Sequence, residues 1–104
     1  MRTMQTLLNV IEFGMNIQQA IESPRWATRS FPASPFPHTM YPGDMWLESR
    51  IPDTLGAELG RRGHKVEMRP PWSMNASGGI IVEEATGTIS AGADPRTQGA
   101  ALAW

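Results

Sequence analysis

Residues 77–96 read Ser77-Gly78-Gly79-Ile80-Ile81-Val82-Glu83-Glu84-Ala85-Thr86-Gly87-Thr88-Ile89-Ser90-Ala91-Gly92-Ala93-Asp94-Pro95-Arg96, the pattern of two strands joined by a tight turn. Ile80, Ile81 and Val82 form a β-branched apolar run of the kind found in a strand buried on both faces. Glu83 to Gly87 is polar and closes on glycine, the composition of a short hairpin loop. Thr88 to Ala93 returns with small residues, so a neighbouring layer must approach that strand closely. Ser77-Gly78-Gly79 precedes a strand rather than a helix, which predicts a tight turn into the strand and not a loop that cradles phosphate. The pair is a scaffold that needs a layer laid over it.

The upstream chain has to supply that layer. Met4, Leu7, Leu8, Ile11 and Met15 recur at the spacing of one helix face. Val10 and Phe13 widen the apolar area, which predicts a helix covered on more than one side, with Gly14 as its C-cap. Asn16 is placed to cap a second short helix, Ile17 to Glu22, stopped by Ser23-Pro24. Arg25 to Arg29 alternates as a short strand. The segment 30–44 carries Pro32, Pro35, Pro37 and Pro42 among Phe31, Phe36, His38, Met40 and Tyr41. Each proline removes a backbone donor, so this Pro-rich stretch predicts a long surface loop, one that is functional or pinned to a neighbour. Met45 to Glu48 reads as a strand. Ile51-Pro52-Asp53 leads into a helix through Arg62, with Leu55 and Leu59 facing inward and Gly63 ending it. Val66 and Met68 alternate around Glu67 as a further strand, and Pro70 to Asn75 is irregular.

This order predicts the α+β class, with about three helices and five short strands, and departs from the βαβ alternation of a doubly wound sheet. The first helix is too apolar for one modest sheet to cover, which predicts that the chain works as a piece of something larger.

With 104 residues there is room for one domain or part of one. Nine prolines and ten glycines make it loop-rich. A net charge of -1 lacks the basic excess that nucleic acid or an anionic membrane requires, so neither is expected as a partner. The absence of cysteine excludes disulfides, Cys-ligated zinc and thiol chemistry. No apolar run approaches the length of a membrane span.

No complete catalytic set emerges from the residues. His38 and His64 have no partner at metal-ligand spacing, so no metal site or cofactor is expected; His64, at a helix end, reads as a surface cap. There is no Gly-x-Ser-x-Gly elbow. Glu83 and Glu84 are adjacent, and neighbours on a strand point to opposite faces. Arg25 after Ser23-Pro24, and Arg96 after Asp94-Pro95, each sit where a fixed-φ proline aims the guanidinium. Each is expected to tie one segment to another through fork-like bonding to carboxylates or turn carbonyls. Asp94 is expected to cap its own turn in an Asx arrangement.

Leu8-Asn9-Val10-Ile11-Glu12-Phe13-Gly14-Met15-Asn16, then Gln19 to Trp26 around Ser23-Pro24-Arg25, resembles the C-terminal part of γ-glutamyltransferases. The similarity continues through Leu47-Glu48-Ser49-Arg50-Ile51-Pro52, Leu59 to Val66, Gly78-Gly79 and Gly92-Ala93-Asp94-Pro95-Arg96, covering nearly all of residues 1–104 in the family's order. The loop 30–44 departs most, as a longer version of the segment after the Pro-Arg motif.

The resemblance implies a partial αββα sandwich of the N-terminal nucleophile hydrolase type, made in the family by a large and a small subunit. It implies a precursor that cleaves itself to expose a threonine, whose hydroxyl attacks a γ-glutamyl amide with its own amine as base. It places that threonine, the glutamate-binding set and the oxyanion-hole glycine pair upstream of the matched region. Gly78-Gly79 matches a later glycine pair, and Thr3 is internal with no free α-amine. No catalytic or substrate-binding residue is therefore expected within these residues. The expected partners are the large subunit and nucleophile-bearing segment of the same enzyme, with γ-glutamyl substrate only in the whole, and self-association through exposed apolar helix faces. The residues leave open a β-lactam acylase, a poly-γ-glutamate transpeptidase, or a non-catalytic binding module that uses the loop 30–44.

Overall fold

The computed structural model describes residues 1–102. In chain order the elements are α1 (Arg2–Ile11), α2 (Ile17–Glu22), β1 (Trp26–Thr28), β2 (Asp44–Glu48), α3 (Asp53–Arg61), β3 (Lys65–Arg69), β4 (Gly78–Glu83) and β5 (Thr88–Ala93). Three helices and five strands in two small sheets make an α+β fold. They fall into two compact units, one joining Met1–Ser23 to the chain from Asn75 onward, the other Pro24–Met74.

In the first unit, β4 and β5 pair antiparallel from Gly78↔Ala93 to Glu83↔Thr88. Gly87, at φ +72°, closes the connection and donates its N–H to the Glu83 carbonyl at 2.8 Å. Gly78 and Gly79 belong to the strand itself and not to a turn before it. The role of Gly79 and Gly92 is clearance: a Cβ on Gly79 would lie 2.7 Å from Ile17 Cδ1, and one on Gly92 would lie 2.8 Å from Ile21 Cδ1. Helix α2 can rest on the hairpin only because both positions lack side chains. Asn16 forms a complete capping box with Gln19, its side chain accepting from the Gln19 N–H at 2.8 Å. The buried apolar residues here are Ile17, Ala20 and Ile21; burying each isoleucine contributes about 1.5–3 kcal/mol.

Other expectations fail in this unit. Ile80 and Val82 are 69% and 60% exposed, because α2 covers only the face that carries Gly79 and Gly92. Helix α1 ends at Ile11 with Glu12 as its cap, short of Gly14, and buries no residue. Met4, Leu7, Leu8, Ile11 and Phe13 are all exposed, since α2 is too short to cover so wide a stripe.

In the second unit, β1 pairs antiparallel with β2, and β2 pairs parallel with β3 in register Asp44↔Lys65 to Glu48↔Arg69. The segment β2–α3–β3 is thus a βαβ crossover, which the order of elements alone did not predict. Inside α3 the inward position is Gly56, buried against Leu47, Val66 and Met68, whereas Leu55 is 47% exposed. A helix laid this close to parallel strands needs its smallest residue at the contact. Gly63, at φ +100°, follows the α3 cap at Arg62.

The stretch from Arg29 to Gly43 contains no helix or strand. It is closed at its base by Tyr41 N–H to the Arg29 carbonyl at 2.8 Å and Gly43 N–H to Ser30 Oγ at 3.1 Å. His38 Nδ1 lies 2.9 Å from the Ala33 carbonyl oxygen, bracing the tip from within, while Phe31 and Phe36 stay 72% and 88% exposed.

Candidate functional site

Three residues were singled out by the sequence, and they fall in two places. Asp94 and Arg96 meet in the first unit. Asp94 is 1% exposed and sits just past the end of β5. Its Oδ2 accepts the Ser77 N–H at 2.8 Å, and its Oδ1 accepts the Arg96 N–H and Nη1, each at 3.0 Å. The carboxylate thereby closes an Asx turn and joins the start of β4 to the turn after β5.

Arg96 reaches further. Nη1 donates to the Ile21 carbonyl and Nη2 to the Ser23 carbonyl, both at 3.1 Å. Carbonyls in the last turn of a helix have no partner within it, and the planar fork of Arg96 supplies donors to two of them at once. Gln18 adds a second tie, since its Oε1 accepts the Ala93 N–H at 3.0 Å and its Nε2 donates to the Ala93 carbonyl at 2.9 Å. A side-chain amide thus pairs with a strand residue as another strand would.

Arg25, 2% exposed, stands in the second unit beside Glu48, which is fully buried. Their backbones are paired, Glu48 N–H donating to the Arg25 carbonyl at 2.9 Å. The Glu48 carboxylate accepts the Arg25 N–H on Oε2 at 3.1 Å, the Met74 N–H on Oε1 at 3.2 Å, and Arg50 Nη2 on Oε2 at 2.9 Å. The Arg50 guanidinium carbon also lies 3.4 Å from the centroid of the Trp72 ring. Glu48 collects the ends of three segments around one charge.

Sequence reasoning missed Glu48 and Gln18. An acidic residue closing an apolar strand, two positions before an arginine, was a readable signal for the first. Gln18 carried none, because a glutamine on a short helix is ordinary until the strand beside it is known.

The remaining candidates are not gathered. His38 and His64 are exposed at separate places, and no group of three or more histidine, aspartate or glutamate side chains suited to a metal occurs among the described residues. Between α1 and β4 runs an apolar groove of about 280 Å³, lined by Thr3, Leu7, Val10, Ile17, Gly79 and Ile81. Its walls offer hydroxyls and aliphatic carbon but no titratable side chain. The chemistry of the polar centres is cohesive: Asp94 and Glu48 have their oxygens committed to N–H donors that fix turns and strand ends.

Comparison with known proteins places this geometry. The family profile described as Gamma-glutamyltranspeptidase matches residues 1–104. The chain is 30% identical over 102 residues to the acylase ACY 1 proenzyme of Pseudomonas sp. (strain V22), covering 96% of this chain and 15% of that one. Among solved structures it resembles LmbA2991HD at 37% identity with a TM-score of 0.83, covering 91% of this chain and 17% of that chain. It shares the fold of the γ-glutamyltranspeptidase from Pseudomonas nitroreducens at 20% identity with a TM-score of 0.72, covering 99% of this chain and 48% of that chain. It therefore spans a minor part of each.

Proposed function

Because the chain belongs to the gamma-glutamyltranspeptidase family, we propose that residues 1–104 form a C-terminal structural portion of an enzyme that transfers or hydrolyses γ-glutamyl groups. In this reading the nucleophile is an N-terminal threonine outside these residues, in a segment released by self-cleavage. Its hydroxyl oxygen bonds to the γ-carbonyl carbon while its α-amine takes the proton. The tetrahedral intermediate expels the amine of the substrate, and the acyl-enzyme passes its γ-glutamyl group to water or to an amino acid.

The residues described above buttress that machinery. Arg96 and Asp94 hold α2 to the turn after β5, while Arg25 and Glu48 hold the ends of the three-stranded sheet. They act on self-cleavage through the stability of the scaffold. The exposed stripe of α1 (Met4, Leu7, Leu8, Ile11) is the surface that the large subunit and nucleophile-bearing segment cover, and it self-associates when left bare.

The observation that carries this reading is the profile match over 1–104, together with the 15% share of the acylase proenzyme that the chain spans. The test is release of a chromophore from a γ-glutamyl anilide. The purified chain is expected to release none, and the chain assembled with its nucleophile-bearing segment is expected to turn over. Turnover by the purified chain alone would overturn the proposal.

The 30% identity to an acylase proenzyme favours a second reading, in which the acyl group removed is the side chain of a β-lactam. Parallel assays of the assembled enzyme on a γ-glutamyl anilide and a β-lactam side-chain amide separate the two.

A further inference from the structure

The strand register divides the side chains of the three-stranded sheet between two faces. Leu47, Val66 and Met68 lie against Gly56 of α3. Trp46 and Glu67 stand side by side on the opposite face, with Arg69 two positions further along β3. Arg29, two residues beyond the Ala27 that pairs with Trp46, joins them. Its guanidinium carbon lies 3.6 Å from the centroid of the Tyr41 ring and 4.9 Å from that of Trp46. Arg69 lies 4.8 Å from the same Trp46 ring and donates Nη1 to Glu67 Oε1 at 2.6 Å. By the same register Arg29, Lys65 and Arg69 share this face with Asp44, Glu67 and the buried Glu48.

The two arginines differ in how they are used. Arg69 commits a nitrogen to Glu67. The Arg29 guanidinium donates no hydrogen bond to any of the described residues; it lies against the two rings, and its charge is felt by Glu67. Ring contacts engage the π face of a guanidinium and leave its N–H edge, a rigid fork matched to two carboxylate oxygens. The rings have already fixed this long side chain, so capture of a ligand gives up little rotamer freedom. Arg29 as a residue is half-buried and so keeps part of its surface in solvent.

We propose that the edge of Arg29, held by Tyr41 and Trp46, is a carboxylate-binding site. Paired N–H donors take the two oxygens of one carboxylate, and Arg69 adds positive potential. A free small carboxylate and the Asp or Glu side chain of a protein segment offer the same chemistry. The site stands on the geometry of one unit and is independent of the proposed activity.

The test follows the Arg29 Nε–H and Trp46 indole N–H cross-peaks of the 104-residue chain by NMR. The titrants are sodium acetate, an acetylated and amidated Gly-Glu-Gly peptide, and sodium chloride at equal ionic strength. Saturable movement with acetate or peptide is expected on the order of 10 mM, as a single guanidinium fork allows. Chloride, which cannot match the fork, is expected to leave both peaks in place. Movement with acetate alone identifies a free small ligand as the occupant, and movement with peptide alone identifies a protein side chain. In Arg29→Lys the Trp46 peak is expected to report binding about five- to tenfold weaker, because the charge remains and the paired geometry is lost. No movement, movement equal to that with chloride, or undiminished affinity in Arg29→Lys would overturn the site. Were the variant not to fold, the acetate and chloride titrations of the unchanged chain decide by themselves.

Discussion

Arg96 Nη1 lies 3.0 Å from Asp94 Oδ1, and the two side chains are 1% and 0% exposed. A buried pair of this kind must offset a desolvation cost of several kcal/mol per ion. It does so through the bonds from Arg96 to the Ile21 and Ser23 carbonyls and from Ser77 N–H to Asp94. Arg96→Ala removes the counter-charge and leaves the carboxylate buried, an expected loss of about 3–5 kcal/mol. Urea unfolding of the chain measures it. Arg96→Lys is expected to be nearly as damaging, because one ammonium cannot reach two carbonyls and a carboxylate with the geometry of a fork; an unchanged midpoint would contradict this account.

Gly79 and Gly92 should respond differently to the same added methyl. At Gly79 the clash is with the end of the Ile17 side chain, at 2.7 Å. At Gly92 the Gln18 backbone nitrogen, at 3.3 Å, stands behind Ile21. Each Gly→Ala change is expected to cost about 1–3 kcal/mol by overpacking. Adding Ile17→Val should recover most of the Gly79→Ala loss, since it deletes the clashing Cδ1. Ile21→Val should recover less of the Gly92→Ala loss. Thermal midpoints of the four variants provide the comparison, and equal recovery at both sites would be the contrary result.

The donors to the fully buried Glu48 carboxylate include Arg25 N–H, Met74 N–H and Arg50 Nη2. Glu48→Ala strands them, at an expected cost of about 3–5 kcal/mol. Glu48→Gln keeps one carbonyl oxygen as an acceptor and should cost less. Amide exchange gives the specific readout: Arg25 and Met74 N–H should lose protection in Glu48→Gln before the rest of the sheet does.

Gln18→Ala deletes both bonds to Ala93. About 1–3 kcal/mol is expected, weighted toward the upper end if the Ala93 groups are left dry. Faster exchange of the Ala93 amide, with Asn16 capping intact, is the signature to look for.

Glu67 titrates below the ordinary carboxylate value, chiefly because Arg69 donates a hydrogen bond to it; desolvation opposes this, while the Arg69 charge, a hydrogen bond from Trp46 and the Arg29 charge lower it further. A depressed folded-state value contributes stability that is present above the unfolded value and is lost as pH falls through the folded one. Arg69→Gln should therefore move the Glu67 titration upward, as followed by its carboxyl carbon resonance in an acid titration.

What the sequence disclosed depended on how local the cause was. The α2 boundaries, from Asn16 to Ser23, follow from a cap and a proline within eight residues and could be read directly. The hairpin turn at Gly87 was equally local. The exposure of Ile80 and Val82 was not legible, because β-branched residues take the same form whichever face receives a neighbour. Gly56 was passed over for Leu55 because a small residue at a tight helix–strand contact resembles an exposed one until the strands are in place. Glu48 and Gln18 earn their roles from partners up to 75 residues away in the chain, beyond any periodicity.

The unit built from Met1–Ser23 and the chain from Asn75 onward is discontinuous, and this bears on how the polypeptide emerges from the ribosome. The intervening unit, Pro24–Met74, is continuous and can form as soon as it is synthesised. The apolar residues of α2 leave first yet acquire Gly79 and Gly92 last. During that interval Ile17 and Ile21 lack the hairpin face they pack against. A holding chaperone, or slow translation over residues 24–74, would act on those first two turns rather than on the hairpin that eventually shelters them.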